Sequence, residues 1–381
     1  MSTVMQTKGN NAMIGTKLRR LLAGLSICIL AVYAGLVGLT GSPTLTVVPA
    51  QAQSGGQVPG GWSGSTSDAE FWRAIRKGVR GKVSIPDQKA AQLVQSEGDE
   101  FRAFRNGKMA STGIDALIIV ILLLFVLYIF RGKIKIDAGP DAEGRTIERF
   151  NVLERFTHWL TASSFIVLAL TGLNVLYGKL FMPALIGKEA FATLSLWGKL
   201  AHNYIAWAFI IGIVMMFVLW VKDNIPGPTD IKWLAKGGGL FSPGVHPPSK
   251  RFNAGQKMIF WAVVLGGGSL SMSGLALLFP FEIQMFAGTF KFINAFGFDF
   301  PTVLSPLQET QYALMWHGIV ALGMIAIIIG HIYIGSVGME GAIDAVADGQ
   351  VDRNWAKEHH GLWVEELDNE APAEAGHQPA E

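Results

Sequence analysis

Residues 312–337, YALMWHGIVALGMIAIIIGHIYIGSV, are enough to cross a bilayer as one helix, and two histidines are their only ionisable groups besides tyrosine. His317 and His331 stand fourteen positions apart. At about 100° per residue that is about 40° short of four full turns, so both imidazoles leave one face of the helix. At about 1.5 Å per residue they lie about 21 Å apart along the axis. Polar side chains at membrane depth are costly and usually functional. Two imidazoles stacked in this way suit one axial ligand for each of two haems. One helix cannot complete either site, so two further histidines must come from other spans.

The rest of the chain is built to supply them. Of 381 residues, 50% are hydrophobic and 16% charged, against about a quarter charged in soluble proteins. The mean hydropathy is +0.36, and the missing charge appears as long apolar runs. The composition is that of an all-α polytopic membrane protein, in contact with lipid. A net charge of +2 points to no class of partner, and nothing resembles a nucleic-acid-binding module. The only cysteine is Cys28. That excludes an iron–sulfur cluster, an internal disulfide and a thiolate-bound haem. Any redox centre here is held mainly by histidine, and any cluster belongs to a partner.

Residues 1–52 resemble a secretory signal. Lys17, Arg19 and Arg20 precede the apolar run LLAGLSICILAVYAGLVGL, and Ala50-Gln51-Ala52 forms an A-x-A cleavage site downstream. The run is long for a signal, so cleavage and retention as an anchor helix both stay open. Residues 53–112 form an exported segment, Gly/Ser-rich at first and mixed in charge from Glu70 to Met109. Five apolar spans follow, at 113–131, 157–177, 200–221, 258–280 and 313–337. The end of the chain, after His359 and His360, is acidic and rich in Ala and Pro, a composition expected to be disordered.

If residue 53 lies outside, loops 131–156 and 222–257 and the C-terminus are cytoplasmic. The two inside loops carry Arg131, Lys133, Lys135, Arg145, Arg149, Arg155, Lys222, Lys232, Lys236, Lys250, Arg251 and Lys257. The two outside loops carry Lys179, Lys188, Lys199 and Lys291. Twelve against four obeys the positive-inside rule for a bacterial inner (plasma) membrane. The basic 53–112 segment runs against the rule, but a signal peptide would override it.

This topology sorts the histidines. His158 opens the second span, which runs outward, and lies near the inner face. His202 opens the third, which runs inward, and lies near the outer face. His317 and His331 take the outer and inner ends of the fifth. Depth alone therefore pairs His202 with His317 at an outer iron and His158 with His331 at an inner one. Bis-histidine ligation leaves no position for oxygen or substrate and suits electron transfer. A single membrane histidine is more often a packing residue; four that pair at two depths favour haem. Zinc is disfavoured, because the pairs lack carboxylate or thiolate companions. Gly172, Gly198, Gly318, Gly323 and Gly330 permit close approach of a helix or a macrocycle. At the inner mouth of the fourth span, RFNAGQKMIFW places Asn253, Gln256 and Lys257. By itself this is a helix entry with a snorkelling lysine; beside His331 its polar groups could bind a quinone carbonyl.

From about residue 149 to 366 the chain resembles the gamma subunit of bacterial membrane-bound formate dehydrogenase, a di-haem cytochrome b. The matching pieces are RFTHW, the His202 helix, WVKDNIPGPTDIKWL, RFNAGQKMIFW, the helix with two histidines fourteen apart, and GQVDRNWAKEHHGLW. The resemblance implies a four-helix core over 149–340 with two haem b groups and a cytoplasmic tail at 341–381. His202 and His317 would hold the outer haem, His158 and His331 the inner one. Menaquinone or ubiquinone would bind near the inner haem, at Asn253 and Gln256. The partners would be an iron–sulfur beta subunit outside and a molybdenum- or tungsten-pterin alpha subunit that oxidises formate. Electrons would pass inward to quinone, which takes protons from the cytoplasm, so charge movement conserves energy. No formate-oxidising site lies in this chain. Residues 1–131, with an extra transmembrane helix at 113–131, lie outside the familiar core.

Three alternatives stay open from the sequence. One is the cytochrome b subunit of a NiFe hydrogenase or other respiratory oxidoreductase, which partner subunits would distinguish. Another is a haem-free membrane anchor or transporter, although no inverted repeat or broken helix pair is present. The third is a two-haem ferric reductase, which would need no quinone site.

Overall fold

The computed structural model describes residues 98–375, apart from Phe241 and Pro243. The signal-like segment, most of 53–112 and residues 376–381 with His377 lie outside the described residues.

Among the described residues, five helices are long and apolar enough to span a membrane: α1 (Ala110–Arg131), α2 (Val152–Leu173), α3 (Lys188–Trp220), α4 (Ala254–Leu278) and α5 (Pro306–Tyr333). Each expected span falls on one of them. The chain is all-α and polytopic. The helices run past the apolar segments, most clearly at α3. Its first residues, KEAFATLSLWGK, contain the good helix formers Ala, Leu, Glu and Lys but are too polar to register as a span.

Three of the spans begin with reciprocal caps. Asn151 Oδ1 accepts from the Glu154 amide at 3.0 Å and Glu154 Oε2 from the Asn151 amide at 3.0 Å. Asn253 with Gln256 opens α4, and Ser305 with Gln308 opens α5 behind Pro306. Each box satisfies amides that the first helical turn leaves unpaired, and loss of such a cap typically costs about 1 kcal/mol.

The packing order is α2–α3–α4–α5–α1, with α2 on α3, α3 on α4, α4 on α5 and α1 on α5. Neither α2 nor α3 makes comparably close backbone contact with α5. The helix that carries two histidines therefore stands off from the two helices that carry one each. α1 docks beside the far end of α2. Tyr177 Oη donates to the Ala110 carbonyl at 2.8 Å, and Met109, Tyr177 and Leu322 form a small buried cluster. Two glycines permit this approach: a Cβ on Gly113 would stand 2.5 Å from Leu322 Cδ1, and one on Gly318 3.0 Å from Met109 Sδ. Gly318 thus serves helix packing.

At the other end, β1 (Thr146–Glu148) pairs antiparallel with β2 (Gln350–Asp352), Ile147 facing Val351. This ribbon ties the chain just before α2 to the segment that follows α5. Helices Arg353–His359 and Gly361–Ala375 continue from it. The expectation of disorder after His360 fails over these residues. Trp355, Ala356, Trp363 and Val364 are buried in the main core, so apolar anchors ahead of the acidic run dock these helices on the bundle.

Candidate functional site

His158 lies in the second turn of α2, close to the ribbon, and His331 in the last turn of α5. Their ring centroids are 6.3 Å apart and the planes are inclined by 59°. Towards the far end, His202 of α3 faces His317 of α5 at 6.2 Å and 61°. The structure thus brings together His158 with His331 and His202 with His317, each pair across the stand-off between helices.

The spacing has a chemical meaning. A metal–imidazole bond of about 2.0–2.1 Å, plus roughly 1.1 Å from ring nitrogen to centroid on each side, separates two opposed imidazoles by about 6.3 Å. Edge contact alone also reaches it, as between His246 and His359 at 6.3 Å; both pairs have the spacing that a shared metal needs. The residues present therefore fit one metal between each pair.

At the far pair the tautomer can be read from the hydroxyls. Thr171 Oγ1 lies 2.7 Å from the Val167 carbonyl and 2.8 Å from His202 Nδ1. Ser273 Oγ lies 2.9 Å from the Ser269 carbonyl and 3.0 Å from His317 Nδ1. A hydroxyl has one proton, and within a helix it donates back to the carbonyl four residues earlier. Its lone pairs then accept from the imidazole, which is protonated at Nδ1 and keeps a lone pair at Nε2 for a metal. At the ribbon end His158 Nδ1 is buried and has no hydrogen-bond partner among the described residues.

Asn253 and Gln256 are at the mouth of α4, where their oxygens form its cap. Asn253 Oδ1 accepts from the Gln256 amide at 2.9 Å, and Gln256 Oε1 from the Asn253 amide at 3.1 Å and Arg149 Nη2 at 3.4 Å. Lys257 does not snorkel. It is buried, and its Nζ donates to the Ile225 carbonyl at 3.0 Å and to Asp230 Oδ2 at 2.9 Å. Taking a lysine into the bundle is tolerable because a carboxylate goes with it.

The ribbon end is closed by groups that sequence reading did not single out. Glu154, buried in α2, accepts from Trp220 Nε1 at 2.8 Å and Arg251 Nη2 at 2.7 Å. Arg149 is buried among the rings of Phe150, Phe252, Trp355 and Trp363, 5.2–5.8 Å from their centroids. Its Nη2 donates to the Arg251 carbonyl at 2.7 Å, and burial followed by the Arg251 charge lowers its pKa to about 9. His360 is fully buried and donates from Nδ1 to the Lys250 carbonyl at 2.9 Å. Burial, then the Arg149 charge, holds it well below the usual histidine range. Neighbouring His359 is lowered to about 4, first by burial and then by His246 and Arg149. The N-x-x-E pattern at Asn151 was a readable signal for the Glu154 cap. Thr171 and Ser273 gave none, being 31 and 44 positions from the histidines they touch.

The chain is similar to known proteins over the spans that carry the paired histidines. The sequence profile of prokaryotic cytochrome b561 matches residues 149–346, which takes in α2 to α5 and all four paired histidines. The chain is 28% identical over 230 residues to the nitrate-inducible formate dehydrogenase cytochrome b556(Fdn) subunit of Escherichia coli K12, covering 60% of this chain and 94% of that protein. It is 28% identical over 223 residues to the formate dehydrogenase cytochrome b556(fdo) subunit of the same strain, covering 58% and 93%. The formate dehydrogenase cytochrome b556 subunit of Haemophilus influenzae is 22% identical over 235 residues, covering 61% and 87%. The resemblance read from the motifs is the one these relatives carry in their names. α1 and the residues before 149 lie outside the profile match. The chain belongs to the prokaryotic cytochrome b561 family.

Proposed function

We propose that this chain is the cytochrome b membrane subunit of a formate dehydrogenase complex and holds two haem b groups. The observation that carries the reading is the pair of imidazole separations, 6.3 and 6.2 Å, on one face of α5. His158 and His331 would hold one haem at the ribbon end, His202 and His317 the other at the far end. Haem b held in this way supplies one-electron transfer. With two ligands each, the histidines exclude dioxygen and substrate from the metal. α5 sets the two sites about 21 Å apart along its axis.

The ribbon end is the cytoplasmic side in this reading, consistent with the inside excess of Lys and Arg. An iron–sulfur beta subunit and a pterin-bearing alpha subunit attach at the far side, and menaquinone or ubiquinone is reduced at the ribbon end. Asn253 and Gln256 serve there as hydrogen-bond donors to a quinone carbonyl. The α4 cap uses their oxygens and leaves the amide N–H groups for that task.

The intact complex tests the reading. Formate should reduce both b haems anaerobically, and added quinone should reoxidise them. Asn253→Asp keeps the capping oxygen and removes the donor. It should slow reoxidation about tenfold, the loss expected for one hydrogen bond worth about 1–1.5 kcal/mol, with haem content unchanged. Reduction by hydrogen but not formate would move the chain to a hydrogenase. An Asn253→Asp complex with normal reoxidation would remove Asn253 from the quinone site.

A further inference from the structure

We infer that Thr171 and Ser273 are positioning residues that make the His202–His317 site the lower-potential one of the two. The inference rests on the two-haem reading above and concerns what distinguishes the sites.

A repeated local pattern supports it. Thr171-Gly172-Leu173 on α2 and Ser273-Gly274-Leu275 on α4 are the same hydroxyl–glycine–leucine step, on different helices. Each step meets an imidazole of the helix that follows it in the chain. The hydroxyl takes Nδ1, at 2.8 Å for His202 and 3.0 Å for His317. The glycine clears the ring's flank: a Cβ on Gly172 would stand 3.7 Å from His202 Cε1, and one on Gly274 3.5 Å from His317 Cε1. Both hydroxyls also lie within bonding distance of their own helix's backbone carbonyls, Val167 and Ser269, which take their protons. Both imidazoles of this site are thus Nδ1–H donors to a fixed oxygen.

His158 shares α2 with Thr171 but has no such support, since its Nδ1 is buried without a partner among the described residues. An imidazole whose N–H donates to an oxygen is the stronger electron donor to a metal at its other nitrogen. Stronger donation favours the ferric state and lowers the potential, with second-sphere hydrogen bonding a recognised lever. Two supported ligands on one iron, against at least one unsupported ligand on the other, set the order of the sites. Electron transfer from the far end to the ribbon end is then downhill.

The test is a potentiometric titration of the haem bands of the purified intact complex, with low-spin ferric resonance spectra recorded alongside. It compares wild type with Thr171→Val, Ser273→Ala, the double variant and the conservative Thr171→Ser. Wild type should give two one-electron transitions, and His202→Ala should abolish the lower. Thr171→Val and Ser273→Ala should each raise only the lower transition, increasing the ferrous-to-ferric ratio at its wild-type midpoint about three- to tenfold. Tenfold corresponds to about 59 mV for one electron. The double variant should move it further, and Thr171→Ser should leave it in place. Full haem content with the lower transition unmoved in the Val and Ala variants would overturn the inference, as would loss of the higher transition in His202→Ala. If Thr171→Val loses haem through misfolding, Ser273→Ala decides by the same criterion. A haem-free wild-type complex would instead fail the two-haem reading on which the inference depends.

Discussion

At the far end of the bundle, His202 and His317 are each anchored by a hydroxyl from a neighbouring transmembrane helix, and α1 packs close by against α5 and the end of α2. At the ribbon end, His158 and His331 keep the same ring separation with no hydroxyl on His158. That end is closed instead by charged and aromatic groups from the loops and tail: Arg149, Arg251, Glu154, Trp355, His360 and Trp363. Short-range side-chain bonds within the membrane fix one pair, and a folded lid of polar loops fixes the other. The two pairs should therefore fail under different perturbations.

Glu154→Ala should have the largest effect. It leaves Arg251 without one carboxylate and the Trp220 indole N–H without its acceptor. Breaking a buried ion pair from one side costs about 3–5 kcal/mol, and partial exposure of Arg251 puts this case near the lower figure. Hydrogen exchange should rise across β1, β2 and the helix Arg353–His359. The ribbon-end haem should be depleted and the far one retained; equal loss of both would erase the contrast.

Acid should act in the same direction. His359 and His360 are held neutral in the fold, whereas in an unfolded tail they protonate near pH 6.5. Their contribution to stability is complete above about pH 6.5 and is lost as the pH falls toward about 4, at a cost of up to about 3 kcal/mol for His359. Proteolysis of residues 341–375 should accelerate between pH 7.5 and 4.5 while the bundle stays intact. An unchanged rate would mean that these rings do not hold the tail.

The far end should respond to α1. Gly113→Leu forces a side chain into Leu322 and Tyr177, an overpacking that typically costs 1–3 kcal/mol. Cross-linking between α1 and α5 should fall, and a shift in the absorption band should be confined to the far haem. A shift confined to the ribbon-end haem would contradict the placement of α1.

The unequal legibility of the two ends has a physical basis. Transmembrane spans are written in runs of apolar residues. Ligand depth follows from position in a span, so the four histidines could be sorted without coordinates. Features that depend on which helix faces which leave no local trace. Thr171 and Ser273 sit in helix interiors among ordinary membrane residues, and their partners lie on other helices. The tail misled for the opposite reason: its acidic composition suggested disorder, while Trp355, Trp363 and Val364 dock the segment ahead of the acidic run on the bundle. Asn253 and Gln256 show a third case, since the short motif read for its polar groups uses their oxygens to cap α4.

The most direct test of the account is the haem content of the intact complex, by reduced-minus-oxidised spectroscopy, in wild type, His317→Ala and His331→Ala. Both substitutions lie on α5, so a general defect in that helix would affect them alike. The account predicts two b haems in wild type and one in each variant, the survivor differing in band position and midpoint potential between the two. A colourless wild type, or two variants that keep the same haem, would contradict it.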